Sequence, residues 1–379
     1  MAHAKLVTGT EFVFALPASG GDSTMNSNLI VNNQNNATAV LTLLTNLFNT
    51  TSFNVPANSI QRIQIPTNIS ASLGDLGYNT VADKGVTVRS TNPITLYVAM
   101  ESTDTQYSTQ FLVLPTNRLG TQYNYLTSLL NYKALIIATQ DNTHFTIGTT
   151  GQTLTLNKMQ TYFTGTAFFL NSKMKSISAN APFASILYGS SSSPTTAVMS
   201  LPSSYSSTGF PVVFSDGNSG AVTFFALYNN TSITYNSNQN IILNAGESQE
   251  VRTPTTWINA SQPIQVIFDP ENTGHFGYAI APENYLSTSI QFYQFLGSTS
   301  MSILTSLQSV GKIAFDNQVI PALQFRHIPF TTYYYYVSYV EPALLHTIRP
   351  TEQGVSYLAT VYNEQQWGSA YVVNFDMST

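Results

Sequence analysis

The side chains best suited to acid–base or metal chemistry are five histidines, His3, His144, His275, His327 and His346. A zinc hydrolase of the His-Glu-x-x-His type needs two imidazoles on one helical face, so that both reach one ion. No pair here has that spacing, and His144 and His346 each open a strand-like segment. Serine hydrolysis needs a hydroxyl raised on a strained Gly-x-Ser-x-Gly elbow between strand and helix. Gly189-Ser-Ser-Ser-Ser193 and Gly217-Asn-Ser-Gly220 do not match it and read as loops. Asp269-Pro-Glu271 is the nearest local carboxylate pair for glycosidic chemistry, but its proline makes it a turn. Glu101, Asp104, Asp75 and Asp83 are too sparse for a calcium motif. With no cysteine there is no thiolate, disulfide or Cys-type zinc site. The expectation is a chain without catalytic residues, metal or cofactor.

The segment most open to a functional reading is Thr331-Thr-Tyr-Tyr-Tyr-Tyr336-Val-Ser-Tyr339-Val340. Alternate residues of a strand face opposite sides. Tyr333, Tyr335, Val337 and Tyr339 form the more apolar face and are assigned to the core. Tyr334 and Tyr336 then face outward, as a packing surface for a neighbouring module, a subunit contact or a sugar platform. Tyrosine is enriched at interfaces, so Tyr334 and Tyr336 are interface candidates. Glu11 and Phe12, on a leading strand that could be donated to a second copy, are the others.

The elements that would position these residues repeat along the chain. Val88, Ile177 and Ile258 precede Pro93, Pro182 and Pro263 at equal spacing; Ile94, Phe183 and Ile264 follow each proline; Val98, Leu187 and Phe268 come next. Asn-rich turns at Asn36, Asn142 and Asn230 recur upstream of each and are read as hairpins, because Asn tolerates positive φ. The openers Gly9-Thr-Glu-Phe12 and Gly120-Thr-Gln-Tyr123 match, with Gly209-Phe210 a looser copy. Modules 8–113, 114–200 and 201–281 follow, with 282–379 departing from the pattern around an Asp316-Asn317 hairpin. β-branched and aromatic residues punctuated by Asn, Gly and Pro predict an all-β fold of tandem antiparallel β-sandwich modules; a β-propeller-like arrangement is the alternative.

Composition narrows function. Only 8% of the 379 residues are charged, against about 25% in an ordinary soluble domain, and the formal net charge is −5. Too few Lys and Arg are present to neutralise a phosphate backbone, which excludes a nucleic-acid partner. No apolar run is long enough to span a bilayer. Met1-Ala-His-Ala-Lys5 lacks the apolar centre of a secretory signal, and a removed leader is one explanation. Asn36, Asn49, Asn68, Asn229, Asn230 and Asn259 stand in Asn-x-Ser/Thr sequons and are candidate glycosylation sites. With a neutral hydroxyl and amide surface, they place the chain outside the cell or on its surface.

Lys84-Gly-Val-Thr-Val-Arg-Ser-Thr-Asn-Pro93-Ile, Phe111-Leu-Val-Leu-Pro115, Leu119-Gly-Thr-Gln-Tyr123 and Ala138-Thr-Gln-Asp-Asn142-Thr-His-Phe-Thr-Ile147 resemble the N-terminal domain of IgGFc-binding proteins. The Ile313–Asn317 segment and His346-Thr-Ile348 resemble that domain's closing part. The resemblance implies extracellular adhesion or matrix work. It departs from the family in lacking any cysteine, which removes disulfide-linked polymerisation. The expected function is a non-enzymatic structural or adhesion protein whose partner is itself, as a homo-oligomer or filament, or surface glycoproteins. The alternatives are a glycan- or glycoprotein-binding module and a secreted hydrolase without a recognisable motif.

Overall fold

The computed structural model describes residues 7–16, 25–66, 79–102, 108–125, 132–148, 151–164, 175–189, 196–214, 219–236, 238–269, 277–282, 285, 287, 289–293, 299–341, 345–363 and 370–374. Among these the regular structure is antiparallel β-strand, with short 3-10 turns and no α-helix. The chain forms two compact units, Thr8–Tyr205 and one built on Ser206–Thr379.

The first unit opens with β1 (Gly9–Phe14), β2 (Met25–Asn33), β3 (Ala39–Thr45), β4 (Thr51–Val55), β5 (Ser59–Gln64), β6 (Val81–Ala82), β7 (Val86–Ser102) and β8 (Ser108–Val113). The long β7 belongs to two sheets. Its first half lies between β3 and β1, and its second half between β2 and β8. One sheet therefore runs β4-β3-β7-β1 and the other β5-β2-β7-β8. Next come β9 (Gln122–Tyr125), β10 (Tyr132–Ala138), β11 (Thr143–Ile147), β12 (Gln152–Leu156), β13 (Thr161–Phe163), β14 (Lys175–Ala179), β15 (Phe183–Gly189) and β16 (Thr196–Met199). Here the long strand is divided into β14 and β15, and the sheets run β12-β11-β14-β9 and β13-β10-β15-β16.

The second unit repeats the plan. β17 (Ser207–Val212), β18 (Ser219–Ala226), β19 (Thr231–Tyr235), β20 (Gln239–Leu243), β21 (Ser248–Pro254), β22 (Thr256–Asp269) and β23 (Gly277–Tyr278) pair as β20-β19-β22-β17 and β21-β18-β22-β23. β24 (Ile290–Tyr293), β25 (Thr299–Ser306), β26 (Ile313–Phe315), β27 (Gln318–Val319), β28 (Arg326–His327), β29 (Tyr333–Val340), β30 (Leu345–Pro350), β31 (Tyr357–Asn363) and β32 (Ala370–Asn374) pair as β27-β26-β30-β24 and β28-β29-β25-β31-β32. A strand shared by two sheets builds sandwiches; a propeller blade is one four-stranded sheet.

Packing explains why the sequence pattern repeats. Val88, Ile177 and Ile258 are fully buried and pair across the sheet with Phe12, Tyr123 and Phe210. Ile94, Phe183, Ile264, Val98, Leu187 and Phe268 are buried too. In the second sandwich Phe183 packs 4.7 Å from the Tyr123 ring and 4.9 Å from Phe145, while the Tyr123 hydroxyl donates to the Phe183 carbonyl at 2.8 Å.

Three readings of the sequence are corrected. The Asn36, Asn142 and Asn230 turns are not hairpins. β2 and β3, β10 and β11, and β18 and β19 lie in opposite sheets, so each turn arches between layers. Asn142 and Asn230 supply the positive φ, 55° and 56°, that such a tight reversal needs. Segment 282–379 departs in sequence but not in connectivity: Ile348 occupies the place of Val88, paired with Ile290 and Phe315. Its long strand is split by a link over 351–356 instead of an Asn-Pro bend. The tyrosine strand is inverted. Tyr334, Tyr336 and Ser338 pair with Thr305, Ile303 and Met301, whose β31 partners are Tyr357, Ala359 and Val361, so they share the sandwich's inner face. Tyr333 and Tyr335 face away from that layer, and Tyr339 is 74% exposed rather than core.

Candidate functional site

A cleft of about 440 Å³ opens between the third and fourth sandwiches, both within the Ser206–Thr379 unit. β22 supplies Trp257 and Asn259, β19 and the turn after it supply Tyr235 and Asn236, and β28 and β29 supply His327 and Tyr335. Ile258 points into the third sandwich's core, so strand alternation sends Trp257 and Asn259 outward. Trp257 stacks parallel to Tyr333, with ring centroids 5.1 Å apart and planes 3° apart. Gly209 makes room for that indole: a Cβ there would sit 2.7 Å from Trp257 Cζ2.

The turn joining β28 to β29 carries the cleft's most exposed ring. Phe330 is 83% exposed and holds φ at 63°, a region a bulky side chain enters only at a cost of order 1–3 kcal/mol. The turn is tightly fastened around it. Ile328 N–H donates to the Tyr333 carbonyl at 3.0 Å, Thr331 Oγ1 donates to the Ile328 carbonyl at 2.7 Å, and Tyr333 N–H donates to Thr331 Oγ1 at 3.0 Å. His327 Nε2 donates to the Thr331 carbonyl at 2.5 Å. The residues lining the cleft include no Asp, Glu, Lys or Arg. The arrangement offers neutral amides, hydroxyls and aromatic faces.

The described histidines have structural partners. His144 Nδ1 lies 2.8 Å from Thr155 Oγ1. His346 is buried between the Phe292 and Phe315 rings; its Nε2 donates to the Glu341 carbonyl at 2.8 Å and its Nδ1 meets Asp316 Oδ2 at 2.7 Å. Both His346 nitrogens are thereby spent. His3, His275 and Asp104 lie outside the described residues. Among the described residues no group of three or more His, Asp or Glu side chains gathers to hold an ion.

The interface candidates fall in different places. Phe12 is fully buried in its own sandwich, so its ring cannot meet a second copy. β1 is already paired with β7 of the same chain, and Glu11 is held 3.1 Å from Arg89 and 3.8 Å from Lys158. Tyr334 packs beside His327 at 5.0 Å and Tyr336 beside Phe325 at 5.8 Å, both half-buried. Asn36, Asn49, Asn229, Asn230 and Asn259 are exposed, and Asn68 lies outside the described residues. The cleft's Trp257 and Phe330 were not singled out from sequence. The available signals were the scarcity of tryptophan, two in the chain, and an aromatic set directly after Pro329 in a Thr-rich turn.

A different surface stands out at the sheet ends. β4, β12, β20 and β27 occupy the same terminal position in the four sandwiches. Their sequences, Thr-Ser-Phe-Asn-Val, Gln-Thr-Leu-Thr-Leu, Gln-Asn-Ile-Ile-Leu and Gln-Val, contain no charge and no proline. Ile242 on β20 is 66% exposed and Val319 on β27 is 53% exposed.

No family model matches the chain, and no curated protein does. Two solved structures align over its length. One is a Ca2+-stabilised adhesin with which an Antarctic bacterium binds ice, at 11% identity over 98% of both chains and a TM-score of 0.14. The other is the BSP domain of a biofilm-associated protein, at 6% identity over 98% of this chain and 97% of that one, with a TM-score of 0.16. Scores of this size do not define a shared fold. Among the described residues no helix is long and apolar enough to cross a membrane.

Proposed function

We propose that this chain is a non-enzymatic extracellular or cell-surface protein, akin to the N-terminal domain of IgGFc-binding proteins, that works by adhesion and self-association. The observation that carries the reading is the repeated uncharged edge. A terminal strand offers a row of backbone donors and acceptors, and proteins that must stay apart protect it with Lys, Pro or a bulge. β4, β12 and β20 carry none of these side-chain guards. Main-chain hydrogen bonds then supply affinity, and Ile242 supplies apolar contact. The partner is a second copy, and the interface lies on these edges rather than on Glu11, Phe12, Tyr334 or Tyr336. The exposed sequons at Asn36, Asn49, Asn229, Asn230 and Asn259 suit export, with glycans on loops and outward strand positions.

Light scattering of the full chain over a rising concentration series tests this. Oligomers are expected, and Ile242→Lys together with Leu154→Lys should shift them towards monomer by placing a charge on two edges. Both positions are on edge strands, Ile242 exposed and Leu154 half-buried, so circular dichroism must first show the sheets intact. A wild-type chain that stays monomeric to the millimolar range sinks self-association.

A further inference from the structure

We propose that the cleft between the third and fourth sandwiches is a binding site for a neutral saccharide, with Phe330 as its stacking platform. This goes beyond self-association and does not depend on it, because the cleft and the edge strands use different residues.

Three observations converge. The first is chemistry: the lining has no Asp, Glu, Lys or Arg to pair with a charged ligand, and its one histidine, His327, spends Nε2 on the Thr331 carbonyl. Yet the side chains of Asn236 and Asn259 and the Thr234 hydroxyl give it several hydrogen-bonding groups, which a purely apolar ligand would cover without satisfying. A neutral sugar matches both features, with hydroxyls around its rim and C–H groups on its flat faces. The second is size. About 440 Å³ falls within the ~300–1,000 Å³ usual for small-molecule sites.

The third is Phe330 itself. A turn residue at φ 63° would be most stable as glycine, and an aromatic ring 83% in water gains little from the fold. The hydrogen bonds from Ile328, Thr331, Tyr333 and His327 hold this costly conformation in place. A ring fixed at a cleft mouth before any ligand arrives loses little freedom on binding. Strain of this kind, kept in a rigid turn, is what a binding residue shows. The Trp257 indole does not serve as a second platform, since Tyr333 covers one face and Gly209 crowds its edge. It is instead a fluorescent reporter within the site.

The sugar has two candidate sources, a glycan on another molecule and the chain's own glycan on Asn259, whose side chain lines the cleft. The probes are immobilised neutral oligosaccharides ending in mannose, galactose or N-acetylglucosamine, and sialylated counterparts of each. The full chain made without glycosylation should bind at least one neutral probe, and in a Trp367→Phe background the remaining Trp257 emission should shift when the free oligosaccharide is titrated. Phe330→Gly should weaken that binding about tenfold or more, the loss of one stacked ring, while leaving the melting temperature equal or raised. Its oligomeric state should match wild type, which separates this result from any failure of self-association. If glycosylated wild type is blocked while a Ser261→Ala form binds, which loses the Asn259 sequon but keeps the Asn259 side chain, the occupant is the chain's own glycan and the site stands. No neutral probe bound, equal binding by Phe330→Gly, or preference for the sialylated probes would each overturn the proposal.

Discussion

Tyr97 on β7 and Tyr357 on β31 are buried phenols, and burial raises both well above the ordinary phenol range; for Tyr357 a backbone hydrogen bond opposes the shift. The sign for stability follows from the proton count. Below about pH 10 both folded and unfolded chains keep these phenols neutral, so their contribution is complete. Above that the unfolded chain ionises first, binds fewer protons than the folded one, and stability falls. Urea midpoints should therefore drop as pH rises beyond about 10. Midpoints that stay level beyond that pH would refute this. The Tyr357 hydroxyl also donates to the Ile348 carbonyl at 2.9 Å. Tyr357→Phe removes that hydrogen bond, and a urea melt should register a loss of about 0.5–1.5 kcal/mol. At this scale the sequence was most legible where side chains are purely apolar. Val88, Ile177 and Ile258 could only be core, whereas a run of four tyrosines suits either face, and alternation alone put Tyr334 on the wrong one.

Elements were legible as strands but their partners were not. An Asn turn between two strands looks the same in sequence whether the strands pair or part into opposite sheets. What decides is the long strand β7, four strands after β3, which β2 and β3 flank at different halves. The fourth sandwich hid for a related reason: its six-residue link replaced the proline on which the repeat was aligned. Glycine has a clear role where modules open. A Cβ at Gly120 would lie 2.5 Å from Pro202 Cβ, and a Cβ at Gly9 would strike Pro115, so the Leu-Pro steps closing the first and second sandwiches rest on their opening glycines. Gly120→Ala should force that contact apart and cost about 1–3 kcal/mol, as overpacking does. A thermal melt unchanged from wild type would show that the step can give way freely. Within the first unit β6 leaves its own sandwich to pair Ala82 with Thr161 and Val81 with Tyr162 of β13. Gly85 N–H extends that seam to the Met159 carbonyl at 2.9 Å. Nothing in a two-residue strand announces such a crossing.

For the molecule as a whole, charge contributes little to cohesion. Arg89 and Glu11 pair 3.1 Å apart with side chains 55% and 33% exposed, and Lys312 and Glu352 pair at the surface. Exposed pairs of this kind are each worth about 0–1 kcal/mol and weaken with salt. Burial of Val, Ile, Leu, Phe and Tyr between paired sheets holds each sandwich instead. The same balance should govern assembly. With 8% charged residues and a formal net charge of −5, copies neither attract nor repel one another strongly over distance. If uncharged edges such as β12 and β20 make the contact, association rests on backbone hydrogen bonds and exposed side chains such as Ile242, which a Debye length of about 10 Å at 0.1 M salt hardly touches. The dissociation constant measured by sedimentation should then change by less than about twofold between about 50 and 500 mM sodium chloride. A tenfold or greater weakening over that range would move the interface to the scattered charged positions and away from the edges.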